Sequence, residues 1–146
     1  MFCGVGVSFL ANDSAEILQL SGNSHRVKGV VGEPRDMRGI LMGCETVDYH
    51  GKPVTLIVPD ESVHDPSLCD SLLSAGRLME ANFKIQFRLP SDAISDGFSL
   101  TDFPSYGGTI VTPAPHNCTI VMEYNQHTWR IPPAPRVQRS SNCTDV

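Results

Sequence analysis

Between Phe83 and Pro90 the chain alternates strictly, with Phe83, Ile85, Phe87 and Leu89 on one side and Lys84, Gln86 and Arg88 on the other. A period of two turns every second side chain to the same face, so this segment is predicted to be a strand with one buried and one wet face, stopped by the proline. The rest of the chain favours the same class. Val and Ile together number 21 against 7 Ala, and 12 Gly and 11 Pro supply turns throughout. A chain rich in β-formers and turn-makers and poor in the best helix-former is expected to be mostly β.

Val5, Val7 and Phe9 alternate with small residues and predict a strand. Asp13, with Glu16 three residues on and Ile17, Leu18 and Leu20 following, predicts two turns of helix. Val27, Val30 and Val31, the Gly32–Asp36 turn and Met37 to Cys44 predict a hairpin. Thr46 to Asp48, a turn at His50-Gly51 and Pro53 to Val58 predict a second one. Ser71 to Ala81, with Leu72, Ala75, Leu78 and Met79 on one side and Asp70 or Ser71 as cap, predicts the clearest helix. Phe98 to Leu100, Thr109 to Thr112, Cys118 to Tyr124 and Thr128 to Ile131 predict a β-meander, and Pro132 to Val146 a linker or disordered tail.

Composition narrows the function classes. A formal charge of -5 and 11 Lys and Arg in 146 residues argue against nucleic acid as a partner, because backbone binding needs clustered cations. No apolar run approaches about 20 residues, so no membrane span is expected. Phe2 to Ala11 lacks the basic flank of a signal peptide, and the acceptor triplets at Asn12, Asn117 and Asn142 are of a kind that arises by chance. Five widely spaced cysteines, Cys3, Cys44, Cys69, Cys118 and Cys143, predict reduced thiols and a cytoplasmic location. The five histidines lack metal-ligand spacing, Leu73 to Gly76 lacks the first glycine of a serine-hydrolase elbow, and Gly4-Val5-Gly6 lacks the third glycine of a dinucleotide fingerprint. Neither a metal nor another cofactor is expected.

Taken in order, the motifs are more specific than any one alone. A Gly4 turn is followed by Asn12-Asp13, the hairpin sequence Val27-Lys28-Gly29-Val30-Val31-Gly32, and a second hairpin. Then come Ser71-Leu72-Leu73-Ser74-Ala75-Gly76-Arg77-Leu78 and Phe83-Lys84-Ile85-Gln86-Phe87, and later Thr128-Trp129-Arg130-Ile131-Pro132. Over residues 2 to 131 this order resembles the retropepsin-like aspartyl protease domain of copia-type retrotransposon polyproteins, where a D-[ST]-G-A turn leads to a flap hairpin and a Leu-Leu-Ser-x-x-x-Leu helix precedes an alternating strand.

The resemblance implies a small β-barrel with one or two short helices over residues 1–90, an appended β-meander over 91–131, and the tail over 132–146. It implies a homodimer and a peptide or polyprotein segment as partner, contacted by Gly4 at the floor and by Gly29, Val30, Val31, Gly32 and Glu33 at the flap. If Gly4 is the motif glycine, Cys3 stands at the Ser/Thr position and Phe2 at that of the catalytic Asp. A phenyl ring can neither hold nor deprotonate the attacking water, so no catalytic residue is assigned and aspartic catalysis is expected to be impaired. Only Met1 precedes the turn, so the first strand of such a domain is expected to be missing. The competing reading is a non-enzymatic β module that binds a partner protein through an edge strand or a hairpin.

Overall fold

The computed structural model describes residues 9–12, 16–27 and 35–134. Strand outweighs helix, 48% against 8%, and the sheets are curled, so the fold is mostly β. The described residues form ten strands: β1 (Phe9–Ala11), β2 (Glu16–Val27), β3 (Arg35–Val47), β4 (Pro53–Ile57), β5 (Ser62–His64), β6 (Leu72–Leu73), β7 (Lys84–Phe87), β8 (Tyr106–Val111), β9 (Thr119–Asn125) and β10 (Thr128–Arg130). The helix α1 (Ala75–Glu80) lies between β6 and β7, and a 3-10 turn covers Pro90–Asp92.

The first sheet is built on β3. Its thirteen residues pair with β2 along one edge, from Glu16↔Gly43 to Val27↔Arg35. Along the other edge they pair with β5 at Gly39 and Ile40 and then with β4 from Gly43 to Val47. β1 lies between β5, to which it is parallel, and the edge strand β6, to which it is antiparallel. The second sheet has the order β10-β9-β8-β7 and is antiparallel throughout. One core joins the two: Phe9, Ala11, Ile40 and Met42 from the first sheet pack with Leu78 of α1 and with Ile110, Ile120 and Met122 from the second, all fully buried. β7, which precedes residue 90, belongs to the second sheet.

Several local readings are corrected. The helix expected from Asp13 is absent, because residues from Glu16 onward form β2. Pairing with β3 satisfies their backbone groups in a ladder, which outweighs a capping pattern too short to hold an isolated helix. The helix expected over Ser71–Ala81 is shortened from its front: Leu72 and Leu73 pair with β1, and Ser74 caps α1 by accepting from the Arg77 N–H at 3.3 Å. Ser71, read as a cap, instead donates to the Asn12 Oδ1 at 3.1 Å, while the Asn12 Nδ2 donates to the Cys69 carbonyl at 2.7 Å. Phe98 to Leu100 is irregular rather than a strand, and Phe98 packs on Phe103 and Tyr106 with ring centroids 5.2 and 4.8 Å apart.

The alternating strand at β7 is present, but its buried face fades along its length. Phe83 is 7% exposed, whereas Phe87 is 40% exposed and lies against the edge of Trp129 at 5.2 Å. The Trp129 indole N–H donates to the Arg88 carbonyl at 3.0 Å, so β10 covers this end of β7 from the side. The start of the expected tail is tied down: the Thr46 hydroxyl donates to the Pro132 carbonyl at 2.6 Å. Residues beyond Ala134 lie outside the described part.

The cysteine reading is also corrected. Cys69 is disulfide-bonded, whereas Cys44 and Cys118 are free thiols. Wide spacing in sequence conceals a pairing that only the fold can create, and the thiol argument for a cytoplasmic location falls with it. Among the described residues no helix is long and apolar enough to cross a membrane.

Gly108 shows how closely the second sheet is fitted. Its φ is +109°, and a Cβ there would overlap the Gln86 carbonyl oxygen in the paired strand β7. Gly108→Ala is expected to destabilise the protein by about 2–4 kcal/mol in urea unfolding, and Leu78→Ala by about 2–5 kcal/mol through the cavity it leaves.

Candidate functional site

The residues that the family resemblance assigns to peptide contact, Gly4 and Gly29, Val30, Val31, Gly32 and Glu33, lie outside the described residues. What the structure gives is their framework. β2 and β3 stay paired up to Val27↔Arg35, so positions 28–34 connect the ends of a long hairpin. β1, the strand that follows the Gly4 motif in sequence, has Phe9 and Ala11 fully buried.

On the β2 arm of this hairpin a polar cluster gathers round Glu61, the residue before β5. Glu61 accepts from the Asn23 side chain at 2.8 Å and is hydrogen-bonded to the His25 Nε2. Hydrogen bonds from Ser21 and Asn23 hold the Glu61 carboxyl below the usual carboxylate range. Gly39 leaves the room for it, since a Cβ there would collide with the Ser21 hydroxyl and the Glu61 carboxylate. β2 is bulged between Leu20 and Ser24, with Gly22 at φ +82°, and the bulge brings Ser21 and Asn23 to this point. The nearby Asp60 is held low chiefly by its hydrogen bond from Arg77, an exposed pair that ties α1 to the bend before β5 and contributes little to stability. Among the described residues no group of three or more His, Cys, Asp or Glu is arranged to hold a metal.

An open groove of about 890 Å³ lies between the β3–β4 hairpin and the β8–β9 connection. Asp48 shapes its near wall: its carboxylate accepts from the N–H groups of His50 and Lys52 at 2.9 and 2.8 Å, and Gly51 takes φ +81° to complete the turn. The Tyr49 N–H donates to the Thr119 carbonyl at 2.7 Å and fastens the hairpin to β9. The far wall is the 112–118 loop, closed by Thr112 accepting from the Cys118 N–H at 2.8 Å. Leu56, Phe83 and Ile120 give the lining an apolar character, and His50, Lys52 and His116 contribute its basic nitrogens. The sequence reading found this hairpin but assigned it no role. Paired prolines bounding the strand, Pro53 and Pro59, were the available signal.

Both free thiols among the described residues, Cys44 and Cys118, lie near this region. Burial pushes the Cys44 thiol up to about 11, and burial followed by the Asp48 charge raises that of Cys118. A raised pKa keeps the thiol protonated at neutral pH and therefore a poor nucleophile. At pH 8 Cys44 is expected to react with iodoacetamide on the order of a hundredfold more slowly than an ordinary cysteine, with full reactivity restored in urea. Mass counting of labels before and after reduction checks this together with the bridge at Cys69.

Comparison with known proteins leaves this geometry as the ground for any functional reading: no family model, no curated protein and no solved structure matches the chain.

Proposed function

We propose that the chain is a retroelement polyprotein-derived aspartyl-protease-like domain, related to the retropepsin-like domains of copia-type elements, whose chemistry is impaired at Phe2. One observation carries the reading. The strand that follows the Gly4 motif and the Leu72-Leu73-Ser74 motif, distant in sequence, are neighbours in the sheet, with Phe9 opposite Leu73 and Leu10 opposite Leu72. The strand downstream of one motif therefore pairs directly with the other motif, which supports the reading. The Ser74-capped helix and the β7 strand then follow in the order the resemblance requires.

In this reading the domain binds an extended peptide between the floor at Gly4 and the hairpin tip at Gly29 to Glu33, and a second copy completes the site. Cleavage would need a carboxylate from each copy, sharing one proton and activating a water against the scissile carbonyl. With an apolar ring at Phe2 the water has no base, and the loss is near complete because activation of the nucleophile is removed and only binding and orientation remain.

The purified chain is expected to show no pepstatin-sensitive cleavage of a peptide library at pH 4 to 6. Phe2→Asp, made with an added N-terminal strand, is expected to gain it. Cleavage by the unmodified chain would overturn the impairment, and a folded, dimeric Phe2→Asp protein without activity would count against the protease-like descent.

A further inference from the structure

At one point of the first sheet β2 carries more residues than the strand it pairs with. Leu20 pairs with Ile40 and Ser24 with Arg38, so Ser21, Gly22 and Asn23 stand opposite Gly39 alone. Residues in such a bulge fall out of the regular ladder, and Gly22 takes φ +82° to make the bend. A carboxylate from the far side of β3 spans the gap. Gly39 pairs on that side with Val63, and Glu61, two residues before Val63, reaches back through the space that Gly39 leaves open. It accepts from the Ser21 hydroxyl, from the Asn23 Nδ2 at 2.8 Å, and from the His25 Nε2 where the ladder has resumed.

We propose that this bulge is a hinge and the Glu61 carboxylate its clamp, which holds the outer part of the hairpin, residues 24–27 and 35–38, in line with residues 16–20 and 40–43. The ladder runs on both sides of the bulge and breaks within it, so the two parts are separate stretches joined at Gly22 and Gly39. The three donors come from the bulge and from the outer part, so loss of one acceptor releases both. The clamp needs a charged carboxylate: ionised, it only accepts, whereas the acid carries a proton of its own and accepts weakly. The imidazole donates through Nε2 in either of its protonation states, so the carboxyl group decides when the clamp opens. Hydrogen bonds from Ser21 and then Asn23 hold that group below the usual carboxylate range, so the clamp is whole through neutral and mildly acid pH and is lost as the pH falls through the lowered value. Among the described residues the charged neighbours other than His25 are turned elsewhere. Met37, Gly39 and Leu41 share the clamp's face of β3; Asp36 and Arg38 alternate to the other face, with Asp36 opposite Arg26 and Arg38 donating to the His64 Nδ1 at 3.4 Å, and Asp60 is paired with Arg77. In the protease-like reading, on which this consequence alone rests, the hinge sets how far the arms of the hairpin stand from a bound peptide.

The test is amide hydrogen exchange on the full chain, corrected for the intrinsic effect of pH. At pH 7 Glu61→Gln is expected to speed exchange about tenfold or more at the paired amides of residues 24–27 and 35–38, with those of residues 40–43, β8 and β9 unchanged. The unmodified protein, which needs no variant to fold, is expected to show the same local rise between pH 5 and pH 3, and Glu61→Gln to show no further rise there. Unchanged exchange in the outer part on either route would overturn the proposal. So would a rise that spreads equally over β8 and β9, which would make Glu61 a support of the whole fold, or a transition centred at about pH 6.5, which would assign the opening to an imidazole. No peptide or cleavage enters the measurement, so its failure is distinct from that of the protease-like reading.

Discussion

Everything in the first sheet depends on β3 being a ladder partner to three strands at once. β2 runs beside its whole N-terminal part, while β5 and β4 share its other edge in succession. Such a strand must change its company along its length, and the sequence marks where this happens. Gly39 lies opposite β5 and gives space to Ser21 and Glu61, while Gly43 begins the pairing with β4 and gives space to the Thr55 methyl. Between and beyond them Ile40, Met42 and Thr46 are fully buried. One face of β3 therefore forms the middle of the first sheet's core, which Phe9 and Ala11 of β1, Leu56 of β4 and Leu73 of β6 complete.

How much of this was legible depended on whether the signal was local. The β3–β4 hairpin could be read because Asp48, His50 and Gly51 form a turn by their own chemistry, and the Val54-Leu56-Val58 alternation is visible in a short window. The meander from β8 to β10 could be read for the same reason. Residues 16–20 could not, because their apolar spacing and an apparent capping box suit a helix, and only pairing with β3, formed by residues further along the chain, makes them a strand. Leu72 and Leu73 misled in the same way: their role is to meet β1, which no window around residue 72 contains. Phe87 shows a subtler failure, in which alternation gave the strand but not its burial, since Trp129 from the far end of the chain decides which part is covered.

The candidate sites divide along the same line. The residues assigned through the family resemblance were found by motif order and fall outside the described part, so the structure speaks only for the strands that flank them. The β4 groove was invisible in sequence because its walls come from residues 48–59 and 112–120, and neither wall carries a motif. Its polar members are ordinary loop residues until the Tyr49–Thr119 hydrogen bond brings the two segments side by side. The disulfide at Cys69 is another product of tertiary proximity, and spacing arguments alone could not have found it.

The enclosed position of β1 has a kinetic consequence. The hairpins of both sheets join residues close in sequence, whereas β1 meets partners as far away as Leu73, which pairs with Phe9, and the Asn12 beside it bonds to Ser71, 59 residues on. Loop-closure entropy must be met before those contacts return any free energy, so the hairpins form early and β1 inserts late. A mutation in β1 should then leave the folding rate nearly unchanged and act mainly on unfolding, whereas one in the β3–β4 turn should act on folding. The strand leading out of the Gly4 motif is in this sense the last part of the barrel to be set, although it is among the most deeply buried.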